Sequence, residues 1–201
     1  MNLNPMYPSL PDLNKPARVV ILGAARTGLL AAAFLQKCRF DVFVSDAGTI
    51  HSEFKQELEH MGIDFEENGH QEASLKQAGF MIASPGIPLS AKPYQIAAAH
   101  QIPVISEIEL AFLFNQTRAK PARLLAVSGS NGKSTTVTLL QKLLEASGYT
   151  AACGGNIGVP MISLLEKNLD FIVLELSSFQ LESTYTLQPE IAILLNLYEN
   201  H

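Results

Sequence analysis

The sequence has 201 residues, of which 47% are hydrophobic. That is enough for one large or two small globular domains with apolar cores. Its net charge of −5 gives no electrostatic reason to expect nucleic acid or an anionic membrane as a partner. Cys38 and Cys153 have no metal-type spacing and suit a reducing compartment. Residues 1–14 lack the apolar core of a signal peptide, and no run approaches the ~20 apolar residues of a membrane span. We therefore expect a soluble, cytoplasmic protein.

The first apolar strand leads into a glycine-bearing turn. Residues 17–22 predict a buried strand, and Gly23-Ala24-Ala25-Arg26-Thr27-Gly28 follows before a helix predicted over 29–37. The turn resembles the dinucleotide pattern G-x-G-x-x-G, but Ala25 replaces the glycine that lets backbone approach a pyrophosphate. The next strand, 41–45, ends on Asp46, whose carboxylate suits a hydrogen bond to a ribose or a base. A purely structural tight turn is the alternative.

Strands and helices continue to alternate through residue 114. We predict further helices over 52–61, 71–77, 93–100 and 107–114. Further strands are predicted over 63–65, 80–83 and 104–105. This alternation predicts a mostly parallel sheet covered on both faces by helices. Ligands of such sheets bind outside the carboxyl ends of the strands, where the 23–28 turn, Asp46, Ser84 and Gly86 would meet.

After a polar linker at 115–122, a second α/β unit is organised around Gly129-Ser130-Asn131-Gly132-Lys133-Ser134-Thr135. An apolar strand over 123–127 precedes this loop, and an amphipathic helix over 133–147 follows it. Phosphate-binding loops are built in this way because their backbone N–H groups point at the anion. Lys133 then suits the β- and γ-phosphates, and Ser134 suits Mg²⁺. The strict pattern has glycine at the position of Val127, and an ordinary serine-capped helix start is the alternative.

Three further polar residues follow predicted strands. A strand over 171–174 ends at Glu175, where phosphate-loop proteins keep the carboxylate that holds Mg²⁺; a solvent-exposed acid is the alternative. Asn156, between glycines after a strand over 149–153, is either a neutral ligand or a left-handed turn residue. His201 follows a last strand over 191–195, and only this position distinguishes it from an ordinary surface histidine. A helix is also predicted over 160–167.

Several motifs together resemble the Mur ligase family. In the second unit they are the 129–135 loop, Gly155-Asn156-Ile157-Gly158 and Glu175-Leu176-Ser177-Ser178-Phe179-Gln180-Leu181-Glu182. The last of these, with Ala83-Ser84-Pro85-Gly86-Ile87 and Glu107-Ile108-Glu109-Leu110, is similar to the branch of the family that adds D-glutamate. The resemblance covers residues 17–201, and the replacement of glycine by Val127 is also the family's habit. It implies a Rossmann-like domain over 17–114 that binds a UDP-sugar and an incomplete ATP-binding domain over 123–201.

The resemblance implies an ATP-dependent amide ligase of peptidoglycan synthesis, acting on UDP-N-acetylmuramoyl-L-alanine, D-glutamate and ATP through an acyl phosphate. It implies that ATP is bound by Gly129, Ser130, Asn131, Gly132, Lys133, Ser134 and Thr135, with Lys133 steadying the transferred phosphoryl group. It places Mg²⁺ on Ser134 and Glu175, and His201 at a second metal or at the substrate carboxylate. The implied substrate-binding residues are Arg26, Thr27, Asp46, Ser84, Gly86 and Asn156.

The family pattern also continues past the segment that matches 196–201, with a carbamylated lysine and a third domain. The resemblance therefore implies that this chain alone lacks full activity and that the full-length protein is a monomer. We also expect an exposed edge at the last strand, covered by further strands or by another copy. Two other classes stay open. One is a nicotinamide-dependent oxidoreductase, suggested by the 23–28 turn and Asp46 and weakened by Ala25; the other is a non-catalytic nucleotide-binding module.

Overall fold

The computed structural model describes residues 11–13, 15 and 17–198. Contacts between residues divide the chain into two compact units, Met1–Glu107 and Ile108–His201. His201, to which the family resemblance assigns metal-binding and catalytic roles, lies outside the described residues. Within them, no helix is both long enough and apolar enough to cross a membrane.

The first unit is a five-stranded sheet in the order β3-β2-β1-β4-β5, with every pairing parallel. Its elements are β1 (Arg18–Leu22), α1 (Arg26–Lys37), β2 (Asp41–Ser45), α2 (Ser52–Met61), β3 (Asp64–Glu66), α3 (Glu72–Leu75), β4 (Phe80–Ala83), α4 (Lys92–Ala99) and β5 (Val104–Ser106). The predicted parallel α/β class is confirmed. Because the strand order reverses between β1 and β4, the carboxyl ends of these strands border the crevice where such sheets bind ligands.

The core of the first unit explains why its strands read as continuous apolar runs. β1 from Val19 to Leu22 and β4 from Phe80 to Ala83 are almost completely buried. On one face, Leu22 and Met81 pack with Ile96 of α4. Both faces are covered because parallel strands are joined by crossover helices, so the strands show no alternation of polar and apolar residues.

Two helices of the first unit differ from their predicted extents by more than one residue. α1 begins at Arg26 rather than at 29, so Arg26 and Thr27 belong to its first turn. The sequence did not predict this earlier start because Gly28 lies in the first turn and glycine is a poor helix former. Here its missing side chain is required, since a Cβ would lie 2.0 Å from the Gly23 carbonyl oxygen. α3 is shorter than the predicted 71–77 because the Gly79 N–H donates to the Arg18 carbonyl and returns the chain to the sheet.

The second unit is a four-stranded parallel sheet in the order β7-β8-β6-β9. Its elements are α5 (Glu107–Gln116), whose first residue belongs to the first unit, β6 (Arg123–Ser128), α6 (Lys133–Ala146), β7 (Ala151–Gly155), α7 (Met161–Leu164), β8 (Phe171–Glu175), α8 (Ser178–Glu182) and β9 (Ile191–Leu194). α5 extends through Asn115 and Gln116, which the sequence placed in a linker. Asn115 is buried because its side-chain amide exchanges two hydrogen bonds with the backbone of Ala122, at 2.8 and 3.0 Å.

Short elements of the second unit also depart from prediction. β7 starts at Ala151 rather than 149, and α7 covers four residues instead of 160–167. α8 was not predicted; it begins with a capping box in which Ser177 and Gln180 exchange side-chain-to-backbone hydrogen bonds. β9 is the expected exposed edge of the described sheet: Ile191 and Leu194 are 53% and 62% exposed.

Candidate functional site

The loop between β6 and α6 depends on glycines with left-handed backbone. Gly129 has φ 137° and Gly132 has φ 86°, values that favour glycine over residues with a Cβ. A Cβ at Gly129 would also lie 3.0 Å from the Asn196 carbonyl oxygen. The loop is therefore compact and its backbone turns directly into the first turn of α6.

The start of α6 has donors but no cap. Gly132 is the N-cap residue and supplies no side-chain acceptor. The N–H groups of Lys133, Ser134 and Thr135 lie in the first turn, where helix geometry offers no intrahelical acceptor. Among the described residues, no other acceptor is recorded for them. These N–H groups and the positive end of the helix dipole are suited to an anion.

Lys133 adds a full positive charge at the same place. Its Nζ donates to the carbonyl oxygens of Gly129 at 2.6 Å and Ser130 at 3.1 Å, so the ammonium lies over the loop. No carboxylate in the described part of the chain pairs with it. The charge of Lys133 therefore remains available to a bound anion.

Glu175 at the end of β8 is a buried carboxylate held by neutral donors. Glu175 is 2% exposed. Its Oε2 accepts a hydrogen bond from Ser134 Oγ at 2.8 Å, and its Oε1 accepts one from Asn156 Nδ2 at 2.8 Å. Within the described residues no cationic side chain pairs with it. A solvent-exposed acid, the alternative from the sequence, is therefore wrong. Burying a carboxylate without a cation is costly, which favours a site that a cation completes.

Asn156 reaches Glu175 because of the glycine before it. Gly155 has φ 98°, and a Cβ there would lie 2.4 Å from the Glu175 carbonyl oxygen. The two strand ends can approach so closely that the Asn156 N–H donates to the same carbonyl at 2.8 Å. Asn156 is not among the described residues with positive φ, so a left-handed turn residue is wrong.

The residues fit a magnesium ion. Ser134 Oγ and Glu175 Oε2, both oxygen ligands, lie 2.8 Å apart. The described residues contain no group of three His, Cys, Asp or Glu side chains that would hold a metal by themselves. Magnesium is commonly bound by one or two protein oxygens, with water and phosphate oxygens completing its shell.

The segment after β9 supports the loop, and the sequence did not reveal it. Asn196 accepts from the Asn131 N–H at 2.9 Å, donates to the Asn131 carbonyl at 3.0 Å, and its own carbonyl accepts from the Ser130 N–H at 3.0 Å. The N–H groups of Ser130 and Asn131 are thus already used, whereas the described part of the chain offers no recorded acceptor to the three at the start of α6. No local pattern could have indicated this, since Asn131 and Asn196 are far apart in sequence.

In the first unit, the structure brings two of the predicted residues, Asp46 and Ser84, to the glycine turn. Asp46 Oδ2 accepts from the Ala24 N–H at 2.7 Å, and its Oδ1 accepts from the Gly48 N–H at 2.8 Å. A Cβ at Gly23 would lie 2.7 Å from Ser84 Oγ. The glycine turn, Asp46 and Ser84 therefore meet at the carboxyl edge of the sheet, and Asp46 holds the backbone of the turn.

The remaining predicted residues of this unit lie at the rim of the same edge. Arg26 is exposed and Thr27 is half-buried in the first turn of α1, whose N-cap Ala25 provides no side-chain acceptor. Gly86 is exposed with φ 89° in the loop after β4. Their contacts with a substrate remain predictions.

A cluster that the sequence did not indicate lies at the ends of β2 and β3. Ser45 is fully buried, and its Oγ lies 2.7 Å from Glu66 Oε1 and 2.7 Å from His70 Nδ1. Burial lowers the pKa of His70 below its ordinary value, against opposing contributions from Glu66 and Asp46 and with a smaller one from Lys92. No spacing signal in the sequence joins these residues.

Two family models match the chain. The description of the first, over residues 17–92, is MurD N-terminal domain, and that of the second, over 127–201, is Mur ligase middle domain. A UDP-N-acetylmuramoylalanine–D-glutamate ligase of Pelodictyon phaeoclathratiforme is 42% identical over 193 residues, covering 93% of this chain and 40% of that protein. One of Cytophaga hutchinsonii is 40% identical over 185 residues, covering 92% of this chain and 40% of its own length. The chain thus spans about two fifths of the length of these relatives.

Solved structures agree on the fold. A UDP-N-acetylmuramate:L-alanyl-gamma-D-glutamyl-meso-diaminopimelate ligase from Neisseria meningitides superposes with a TM-score of 0.58 at 22% identity, covering 93% of this chain and 62% of that one. A murein peptide ligase from Psychrobacter arcticus gives 0.56 at 20% identity, covering 90% and 43%. At these identities the likeness shows the arrangement of strands and helices and nothing about substrates.

Proposed function

Because the chain belongs to the Mur ligase family, we propose that it carries the UDP-sugar-binding and ATP-binding parts of a ligase that joins D-glutamate to UDP-N-acetylmuramoyl-L-alanine. The observation that carries the proposal is the pair Ser134–Glu175 beside the uncapped start of α6 and the ammonium of Lys133. These groups are the ones that a site for a magnesium-bound nucleotide phosphate requires. The names of the relatives support the choice of substrates.

The proposed reaction has two steps. The substrate carboxylate attacks the γ-phosphorus of ATP, the bond to the ADP oxygen breaks, and an acyl phosphate forms. The D-glutamate amine then attacks the acyl carbon, inorganic phosphate leaves, and the amine loses a proton as the amide forms. Both reactants are anionic, so charge must be neutralised before the phosphoryl group moves.

The residues of the second unit suit these demands. The N–H groups at the start of α6 bind phosphate oxygens, and Lys133 turns from the loop carbonyls to the transferred phosphoryl group. Ser134 and Glu175 hold Mg²⁺, which supplies further charge stabilisation when bound. Asn156 keeps the Glu175 carboxylate oriented and offers its amide to the sugar nucleotide. A role for His201 stays a prediction because that residue lies outside the described part of the chain.

The first unit is the proposed site for the UDP portion. The uncapped first turn of α1, with Arg26 and Thr27, suits the diphosphate, and the edge formed by Asp46, Ser84 and Gly86 suits the nucleoside. A nicotinamide dinucleotide is disfavoured because Ala25 takes the place of the glycine that admits a pyrophosphate.

We further propose that the 201-residue chain binds these ligands without forming an amide bond. The named relatives are about two and a half times as long as the matched segment, since it covers 40% of each. In-line phosphoryl transfer requires both reactants to be held at reacting distance. We assign that task in part to residues of the whole protein that lie outside the matched segment. We place the whole protein in the cytoplasm as a monomer.

The test combines binding and turnover on the purified chain. Calorimetry is expected to show saturable binding of UDP and of ATP with Mg²⁺, and a phosphate-release assay with all three substrates is expected to show none. Absence of Mg²⁺-dependent ATP binding would contradict the assignment of the second unit. NADH binding followed by fluorescence would instead favour an oxidoreductase. Turnover comparable to that of the whole protein would refute the proposed inactivity of the chain.

A further inference from the structure

The side chains of Ser45, Glu66 and His70 form a directed hydrogen-bond chain. Glu66 also accepts from the Gln71 N–H at 3.0 Å and from Ser74 Oγ at 3.0 Å, so its carboxylate acts here as an acceptor. The Ser45 hydroxyl has one proton and donates it to Glu66 over 2.7 Å. It must then accept from His70, whose Nδ1 lies 2.7 Å away and carries the proton.

This order fixes the tautomer of His70. A neutral imidazole protonated at Nδ1 presents a lone pair at Nε2. Among the described residues, no donor is recorded for Nε2. The charged groups near the ring are Glu66, Asp46 and Lys92, and Lys92 Nζ donates to the His70 carbonyl at 2.9 Å. Because burial keeps the pKa of the ring below its ordinary value, Nε2 is an acceptor at neutral pH.

The position of His70 relates this acceptor to the nucleoside. The Asp46 N–H donates to the Glu66 carbonyl at 3.0 Å, and the Gly69 N–H donates to the Asp46 carbonyl at 3.2 Å. The loop that ends in His70 therefore runs beside Asp46. In sheets of this type the acid at the end of the second strand marks the nucleoside side of the ligand, and the glycine turn marks the phosphate side.

We propose that Nε2 of His70 accepts a hydrogen bond from N3–H of the uracil ring and so selects uridine nucleotides at the first unit. The inference rests on the proposed function of that unit. Uracil presents one N–H donor at N3, whereas cytosine presents a lone pair there that would face the lone pair of Nε2. His70 is thus a specificity-determining residue, and Ser45 and Glu66 position its proton.

The test compares UDP with 3-methyl-UDP, which lacks the N3 proton, by calorimetry on the 201-residue chain at pH 7.5. The wild-type chain is expected to bind UDP about tenfold more tightly than 3-methyl-UDP. This is the difference expected when one hydrogen bond in a partly buried site cannot form. His70→Asn keeps an N–H for Ser45 but has no acceptor at the position of Nε2, so its two affinities are expected to agree within about twofold. His70→Gln, whose amide reaches that position, is expected to recover part of the preference.

A purely structural role makes a different prediction. If His70→Asn weakens both ligands equally, or leaves the preference unchanged, the proposal is overturned. Dependence of 2′-deoxy-UDP binding on His70 in place of this effect would assign Nε2 to the ribose and also overturn it. Failure of wild-type chain to bind UDP at all would refute the proposed function of the first unit, and the inference with it; binding without preference refutes the inference alone.

One measurement needs no variant and covers the case in which His70→Asn does not fold. Protonation converts Nε2 from an acceptor into a donor, so the wild-type preference for UDP over 3-methyl-UDP is expected to disappear as the pH falls below the ordinary imidazole value of about 6.5. Both ligands carry the same diphosphate, and its titration cancels in the ratio. A ratio that stays constant from pH 7.5 down to the lowest pH at which the chain stays folded overturns the proposal.

Discussion

Both units place a carboxylate at the end of a parallel strand beside a glycine-bearing loop, but they hold it in different ways. Asp46 accepts from the backbone N–H groups of Ala24 and Gly48. Glu175 accepts from the side chains of Ser134 and Asn156. Backbone donors fixed in a turn cannot leave, whereas side chains can rotate away when a ligand arrives. The comparison assigns Asp46 a role in the structure of its turn and leaves Glu175 free to exchange Ser134 Oγ for a shared metal.

The largest effect is expected at the loop beside Glu175. In the whole protein that contains this chain, Lys133→Ala is expected to lower turnover by about 10²–10³-fold, since it removes a charge that stabilises the transferred phosphoryl group. The affinity for the UDP-sugar, measured by calorimetry, is expected to change by less than about threefold. Lys142→Ala, on the exposed side of the same helix, is the control and should change neither. Equal losses in turnover and in UDP-sugar affinity would make Lys133 a substrate-binding or structural residue.

A second substitution tests whether Glu175 serves a metal. Glu175→Gln keeps the shape and an acceptor oxygen but removes the charge, so the strengthening of ATP binding by Mg²⁺ is expected to fall by about tenfold or more. The measurement is calorimetry of ATP with and without Mg²⁺. Glu182→Gln, an exposed position shortly after, is the matched control. Unchanged Mg²⁺ dependence in Glu175→Gln would contradict the metal role.

Replacement of Asp46 is expected to lower the stability of the fold as well as the affinity for a ligand. Asp46→Ala leaves the Ala24 N–H without its acceptor, and we expect the free energy of unfolding to fall by about 1–2 kcal/mol along with an approximately tenfold weaker affinity for UDP. Urea denaturation and calorimetry measure the two quantities. Asp46→Asn retains an acceptor oxygen and should lose less of both. If Asp46→Ala weakens UDP binding without loss of stability, the contrast between the two carboxylates fails.

The sequence predicted the parts of this arrangement that local patterns encode. Buried strands such as β1, β4 and β8 appear as continuous apolar runs, and the residue after a parallel strand lies at the ligand edge, which located Asp46 and Glu175. Short helices were predicted poorly because tertiary hydrogen bonds determine their ends, as the bond from the Gly79 N–H to Arg18 does for α3. α8 has a local sequence signal, the capping pair Ser177 and Gln180, that marks its first turn.

The missed site residues are those whose partners are remote in sequence. Asn196 supports Asn131 only because β9 lies beside β6 and runs in the same direction. The His70 tautomer follows from Ser45 and Glu66, which become neighbours when β2 pairs with β3. Such contacts depend on sheet register, and register is not visible in one strand's sequence.

A third carboxylate, that of Asp170, can be compared with those of Asp46 and Glu175, and its replacement is expected to have the smallest effect. Asp170, just before β8 and so at the opposite end of that strand from Glu175, accepts from Lys120 Nζ at 2.7 Å and from the Thr150 N–H at 2.9 Å. These hydrogen bonds, with Lys120 first, hold its pKa well below the ordinary value of 3.8. Asp170 is half-buried and Lys120 is exposed, so salt screens the pair and the contribution to stability is small.

The sign of its pH dependence follows from the lowered pKa. The folded state favours ionised Asp170, so the stabilisation is fully present above the ordinary value of 3.8 and is lost as the pH falls below it. Asp170→Asn is therefore expected to lower the urea midpoint slightly at pH 7 and to reduce its fall between pH 4 and pH 2.5. Repeating the wild-type measurement in 1 M salt should weaken the Lys120 contribution and leave the Thr150 hydrogen bonds. A steeper fall in the variant would show that Asp170 prefers its protonated form in the folded chain and would contradict the lowered pKa.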